Sequence, residues 1–99
     1  MIKRIEVRWT PAAFTEFQEA YHRIANYSPK SAAAFGEEVY AALQNLQEFP
    51  HMGKASQYDA NIRRLIINHA ASSYTLEYKI AQSSVVVAGI WHHSKSQPT

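Results

Sequence analysis

Four residues near the end of the chain carry side chains that can do chemistry: Trp91, His92, His93 and Lys95, in the stretch GIWHHSKSQPT. An unperturbed imidazole titrates near pH ~6.5, so two of them beside an amine can supply an acid, a base and a phosphate contact. They do not suit a metal. Adjacent residues at a strand end point in opposite directions, so His92 and His93 do not chelate one ion together. A zinc site would then need His22, His51 or His69 to converge, in a chain with no cysteine and no HExxH spacing. No metal and no cofactor is expected. Arg63 and Arg64 form the second charged feature. As neighbours on a strand they face opposite sides, and each can meet a phosphate, a partner's carboxylate or an internal acid such as Glu77.

Recognisable elements must hold these groups. Ile5, Val7 and Trp9 alternate with Arg4, Glu6 and Arg8, the two-residue period of a strand over residues 2–9. Thr10-Pro11 is a helix start, a capping hydroxyl followed by a proline whose missing N–H costs nothing there. Phe14, Phe17, Tyr21 and Ile24 draw an apolar stripe at helical spacing. Ser28-Pro29 repeats the start, and Ala32, Phe35, Val39, Leu43 and Leu46 draw a second stripe, ended by Pro50 and Gly53. Two helices joined so closely fold back as a hairpin. Residues 50–61 read as a loop. Three strand-like runs follow at 62–68, 73–80 and 84–91, with connectors short enough for antiparallel hairpins. In 73–80, Tyr74, Leu76, Tyr78 and Ile80 share one face. The run 84–91 is nearly continuous apolar, as in a strand covered on both sides. Trp9, Phe14, Phe17, Phe35 and Phe49 read as core.

The order β-α-α-β-β-β gives an α+β, two-layer fold: an antiparallel-rich sheet with a helical hairpin packed on one face. Ninety-nine residues make one domain, residues 1–99. Apolar residues are 46% and charged residues 18%, an ordinary globular balance. The formal charge of +2 is mildly basic, compatible with nucleic acid or an acidic peptide as neighbour. Disulfides are excluded, the N-terminal stretch has no apolar core of a signal peptide, and no run approaches the ~20 apolar residues of a membrane helix. A cytoplasmic location is expected, with no membrane association.

Several stretches in this order resemble the ParE/RelE superfamily of toxins from type II toxin–antitoxin modules. VRWTPAAFTEFQEAYHRIA resembles the family's opening strand and first helix, and FPHMGK its Phe-Pro-x-x-Gly loop. IRRLII, YTLEYKI and GIWHHSK resemble its three later strands, the last ending in a His-x-x-Arg motif that His92 and Lys95 echo. The resemblance implies a growth-inhibiting toxin neutralised by a cognate antitoxin, with which it forms a hetero-oligomer. Trp9, Phe14, Arg63 and Tyr78 are the candidate antitoxin contacts. It implies one of two activities. A ParE-like toxin stabilises plasmids by poisoning DNA gyrase and catalyses nothing itself. A RelE-like toxin cleaves messenger RNA on the ribosome, and here the catalytic set would be His92, His93, Lys95, Arg63 and Arg64. The opening favours the ParE-like branch. The RNase branch commonly carries an Arg where this chain has Thr75 and a terminal Tyr that is missing here.

Overall fold

The computed structural model describes residues 5–93. A short strand β1 (Glu6–Trp9) leads into α1 (Pro11–Tyr27) and α2 (Pro29–Glu48). Then come β2 (Lys54–Ala55), β3 (Ile62–His69), β4 (Ser72–Ala81) and β5 (Ser84–His92). The sheet order is β1-β5-β4-β3-β2, with β1 parallel to β5 and every other pair antiparallel.

Both helices begin where the capping chemistry places them. The Thr10 hydroxyl accepts from the Ala13 N–H at 3.0 Å and the Ser28 hydroxyl from the Ser31 N–H at 3.2 Å. Ser28 serves both helices at once, because its own N–H closes α1 by donating to the Ile24 carbonyl at 2.9 Å. A single residue therefore makes the turn, which forces α1 and α2 antiparallel. Their buried stripes, Ala13 and Ala20 on α1 and Ala32, Phe35, Val39 and Leu46 on α2, face one side of the sheet. There they meet Tyr74, Leu76, Tyr78, Val85, Val87 and Ile90. An aromatic chain runs through this layer, from Phe17 stacked on Phe35 at 5.7 Å to Phe35 against Tyr74 at 4.7 Å.

Three expectations are corrected. First, the sheet has a fifth strand. The two residues of β2 fall inside the stretch read as a loop and pair with Arg64 and Arg63. Second, β5 is not covered on both faces. Its apolar run hides a bulge: Glu77 pairs with Gly89 and Tyr78 with Val87, leaving Ala88 without a partner. The extra residue shifts the alternation. Val85 and Val87 face the helices before it, and Ile90 and His92 face them after it, so Trp91 lies on the outer face. Third, Phe14 and Phe49 are not core. They are 47% and 64% exposed, because Phe14 sits at the rim of the α1 stripe and Phe49 caps the end of α2.

Candidate functional site

The structure separates the groups that the sequence set side by side. The bulge puts His92 on the helix face, its ring edge-on to Tyr74 at 5.1 Å. His93 stands in the following turn, exposed, with its N–H donating to the Ser73 carbonyl at 3.0 Å. Lys95 lies outside the described residues. Among the described residues no group of three or more His, Asp or Glu side chains is arranged to hold a metal.

Arg63 and Arg64 divide between the faces of β3, as neighbours on a strand must. Arg63 pairs across the sheet with Tyr78 on the helix face, and together they hold the loop between α2 and β2. The Arg63 Nη1 donates to the carbonyls of His51 at 3.0 Å and Gly53 at 2.8 Å. The Tyr78 hydroxyl donates to the Pro50 carbonyl at 2.8 Å and accepts from the Gly53 N–H at 2.9 Å. Gly53 is required by this closeness: a Cβ there would stand 2.6 Å from the Tyr78 hydroxyl and 2.9 Å from the Arg64 carbonyl oxygen. Burial pushes the Tyr78 phenol up from its ordinary value, opposed in part by the Gly53 N–H and the Arg63 charge. Tyr78 is 0% exposed, so as a contact for a docking partner it is corrected to a core residue that shapes the loop. Arg63 is likewise engaged with backbone carbonyls.

Arg64 occupies the outer face. It forms an ion pair with Glu77 at 3.0 Å, and its guanidinium carbon lies 5.4 Å from the centre of the Trp91 ring. Beside it Lys54, Ala55, Ser56, Gln57 and Tyr58 line an open pocket of about 400 Å³. The sequence suggested the Arg64–Glu77 pair as one possible partnership. The Trp91 contact depends on the bulge, and the pocket on the two-residue β2, so neither could be read in advance. Charge is also segregated between the layers. Helices α1 and α2 hold five acidic residues against two basic ones, whereas strands β2–β5 hold Lys54, Arg63, Arg64 and Lys79 against Glu77 alone.

The first candidate contact surface lies at the opposite edge of the sheet. Trp9 is half-buried at the end of β1 and meets Phe14 edge-on at 6.0 Å and Phe17 at 5.5 Å. Just beyond Trp9, β1 ends and α1 begins. A carboxylate of that helix takes over the edge of β5: Glu16 accepts from the Ile90 N–H at 3.3 Å. The beginning of α1 thus offers an aromatic surface fixed by β1 below it and α1 above it.

Comparison with known proteins agrees with this architecture. The solved structure titled "Chromosomal ParDE TA system from P. aeruginosa" superposes with a TM-score of 0.68 over 90% of this chain and 96% of that chain, at 16% identity. That likeness is one of fold. Toxin RelE1 of Caulobacter vibrioides is 36% identical over 64 residues, which is 65% of this chain and 67% of that protein. The model of the family described as "ParE toxin of type II toxin-antitoxin system, parDE" matches residues 7–97. That match spans both helices, strands β2 to β5 and all but the first residue of β1, and on it the chain belongs to the ParE family of type II toxin–antitoxin toxins.

Proposed function

We propose that this toxin inhibits growth by poisoning DNA gyrase, as a binding partner that catalyses nothing itself, and that its cognate antitoxin neutralises it. The observation that supports a poison over a nuclease is the dispersal of the candidate catalytic groups. Metal-free RNA cleavage needs a base, an acid and cations around one phosphate. Here His92 and Arg63 share the helix face but stand opposite Tyr74 and Tyr78, four residues or about 13 Å apart along β4. Arg64 is on the other face, and Arg63 already serves two carbonyls. Among the described residues, no single phosphate lies within reach of His92, Arg63 and Arg64 together. The ParE family match points the same way.

A second reading, ribosome-dependent cleavage of messenger RNA, draws support from the name of the Caulobacter relative and from Arg64 and Trp91 on the outer face. The two are separated in cells induced for the toxin. Protein-linked chromosome breaks with intact ribosome-bound transcripts are expected. Transcripts cut at codon boundaries, without such breaks, would move the assignment to the RNase branch.

A further inference from the structure

The turn that carries the chain from α2 toward β2 is held from beneath by hydrogen bonds to its main chain. Arg63 Nη1 donates to the carbonyls of His51 and Gly53, the Tyr78 hydroxyl donates to the Pro50 carbonyl, and the Gly53 N–H donates to that hydroxyl. A fifth bond lies within the turn, from the Met52 N–H to the Phe49 carbonyl at 3.1 Å. It closes a β-turn and sets the Cα atoms of Phe49 and Met52 within ~7 Å of each other. Pro50 fixes one further dihedral angle. Placing a phenol and a guanidinium under the turn is costly unless they are hydrogen-bonded, and the backbone of the turn supplies their partners.

None of these bonds uses a side chain of the turn. Phe49 is mostly exposed, Met52 is half exposed, and His51 stands exposed between them. Among the described residues, none of the three side chains makes a hydrogen bond, ion pair or ring contact. A lone exposed apolar residue is ordinary. Two on one turn with a fixed backbone are preorganised anchors, because a partner need not order the chain that carries them. Just beyond, Lys54 stands opposite Arg64 on the outer face, and both line the open pocket. Glu77 answers the charge of Arg64, whereas Lys54 has no carboxylate partner among the described residues. The surface therefore joins two apolar anchors to one uncompensated cation.

We propose that Phe49, Met52 and Lys54 form the surface through which this toxin grips gyrase. It takes a protein segment that bears an apolar side chain and, close by, a carboxylate. This rests on the gyrase assignment above. A nucleic-acid strand fits the surface poorly. One free lysine answers few phosphates, and Met52 offers neither a charge nor a ring on which a base can stack.

The test is plasmid cleavage by gyrase with the full chain and its variants, read as the toxin concentration that gives half-maximal linear DNA. Phe49→Ser/Met52→Ser and Lys54→Glu are each expected to raise that concentration about tenfold or more. Lys54→Arg, which keeps the charge, and the control Tyr40→Ser are expected to leave it within about twofold. All four positions are exposed, so thermal midpoints should stay close to the parent's. Tyr78→Phe keeps every exposed side chain but frees the turn. It is expected to raise the concentration severalfold at temperatures where the variant is still folded. Direct binding to gyrase without plasmid should weaken by the same factors, while each exposed-site variant binds antitoxin as the parent does. Parent-like cleavage by both Phe49→Ser/Met52→Ser and Lys54→Glu would overturn this surface and leave the gyrase assignment standing. Gyrase binding that requires plasmid would make DNA the occupant, and an equal loss of antitoxin binding would make it the antitoxin; either result overturns the proposal. Absence of linear DNA with active parent toxin would overturn the gyrase assignment, and this proposal with it.

Discussion

Removing one oxygen atom from the core is predicted to loosen the loop that joins the two layers. In Tyr78→Phe the ring still fills its place between α2 and the sheet, so no cavity opens. The Pro50 carbonyl loses its donor and the buried Gly53 N–H loses its acceptor. A hydrogen bond contributes a net ~1 kcal/mol, and a buried donor left unsatisfied costs ~1–3 kcal/mol. The two losses together come to about 2–4 kcal/mol. In a domain of this size each kcal/mol moves the midpoint by ~4–8 °C, so Tm should fall by about 8–32 °C. Chemical denaturation should show a lower midpoint with an unchanged slope, because the surface exposed on unfolding is the same. Tyr40→Phe, at a residue 64% exposed, is the control and should leave Tm in place. The pair Tyr78→Phe and Gly53→Ala tests the geometry further. The alanine Cβ collides with the Tyr78 hydroxyl at 2.6 Å and with the Arg64 carbonyl at 2.9 Å. The double variant should therefore recover part of the Gly53→Ala loss, but not all of it. A Tyr78→Phe loss below about 0.5 kcal/mol would refute the assignment of this hydroxyl as the loop's anchor.

Further predictions follow from the same contacts. The raised pKa of Tyr78 means that the unfolded chain gives up this proton first. Its contribution to stability is complete below pH 10.0 and declines as pH rises from there toward the folded value. Subtracting a Tyr78→Phe titration from that of the parent isolates this contribution, and a difference that grows with pH above 10.0 would contradict it. Ser28→Ala removes the cap of α2 and should cost about 1 kcal/mol in a denaturant titration. Arg64→Ala breaks an ion pair with partly exposed members and a cation–π contact, each worth about 0.5–1 kcal/mol, so stability should change by no more than ~2 kcal/mol. Trp91 emission should change in the same variant. Deleting Ala88 joins Val87 directly to Gly89 in a regular ladder and leaves Ile90 and His92 on the helix face and Trp91 outside. The emission of folded Trp91 should therefore be kept, and the loss in fluorescence-monitored unfolding should be about 0.5–3 kcal/mol.

Much of the frame was legible because local chemistry dictates it. Thr10-Pro11 and Ser28-Pro29 mark both helix starts, and the alternation of Tyr74, Leu76, Tyr78 and Ile80 marks the buried face of β4. What escaped depends on long-range pairing. The bulge at Ala88 is silent in the sequence, because Ala-Gly within an apolar run looks the same with or without a partner. The bulge nonetheless decides that His92 faces the helices and Trp91 faces away. Two residues of β2 have no period to detect, and they form a strand only because Arg63 and Tyr78 bring the loop against β3. The parallel pairing of β1 with β5 follows from the hairpin returning the chain across the sheet, a distance that no local pattern encodes. Phe14 and Phe49 read as core because their spacing is helical, but burial also depends on how far the sheet extends beneath each stripe.

We propose that this ParE-family chain acts on gyrase as a poison without a catalytic site of its own. Purified gyrase, supercoiled plasmid and ATP, incubated with the toxin, test it most directly. Linear DNA covalently linked to gyrase is expected to rise with toxin concentration, to disappear when antitoxin is added, and to persist in a His92→Ala/His93→Ala variant. Unchanged supercoiling at a several-fold molar excess of active toxin, together with loss of toxicity in the same double variant, would contradict it.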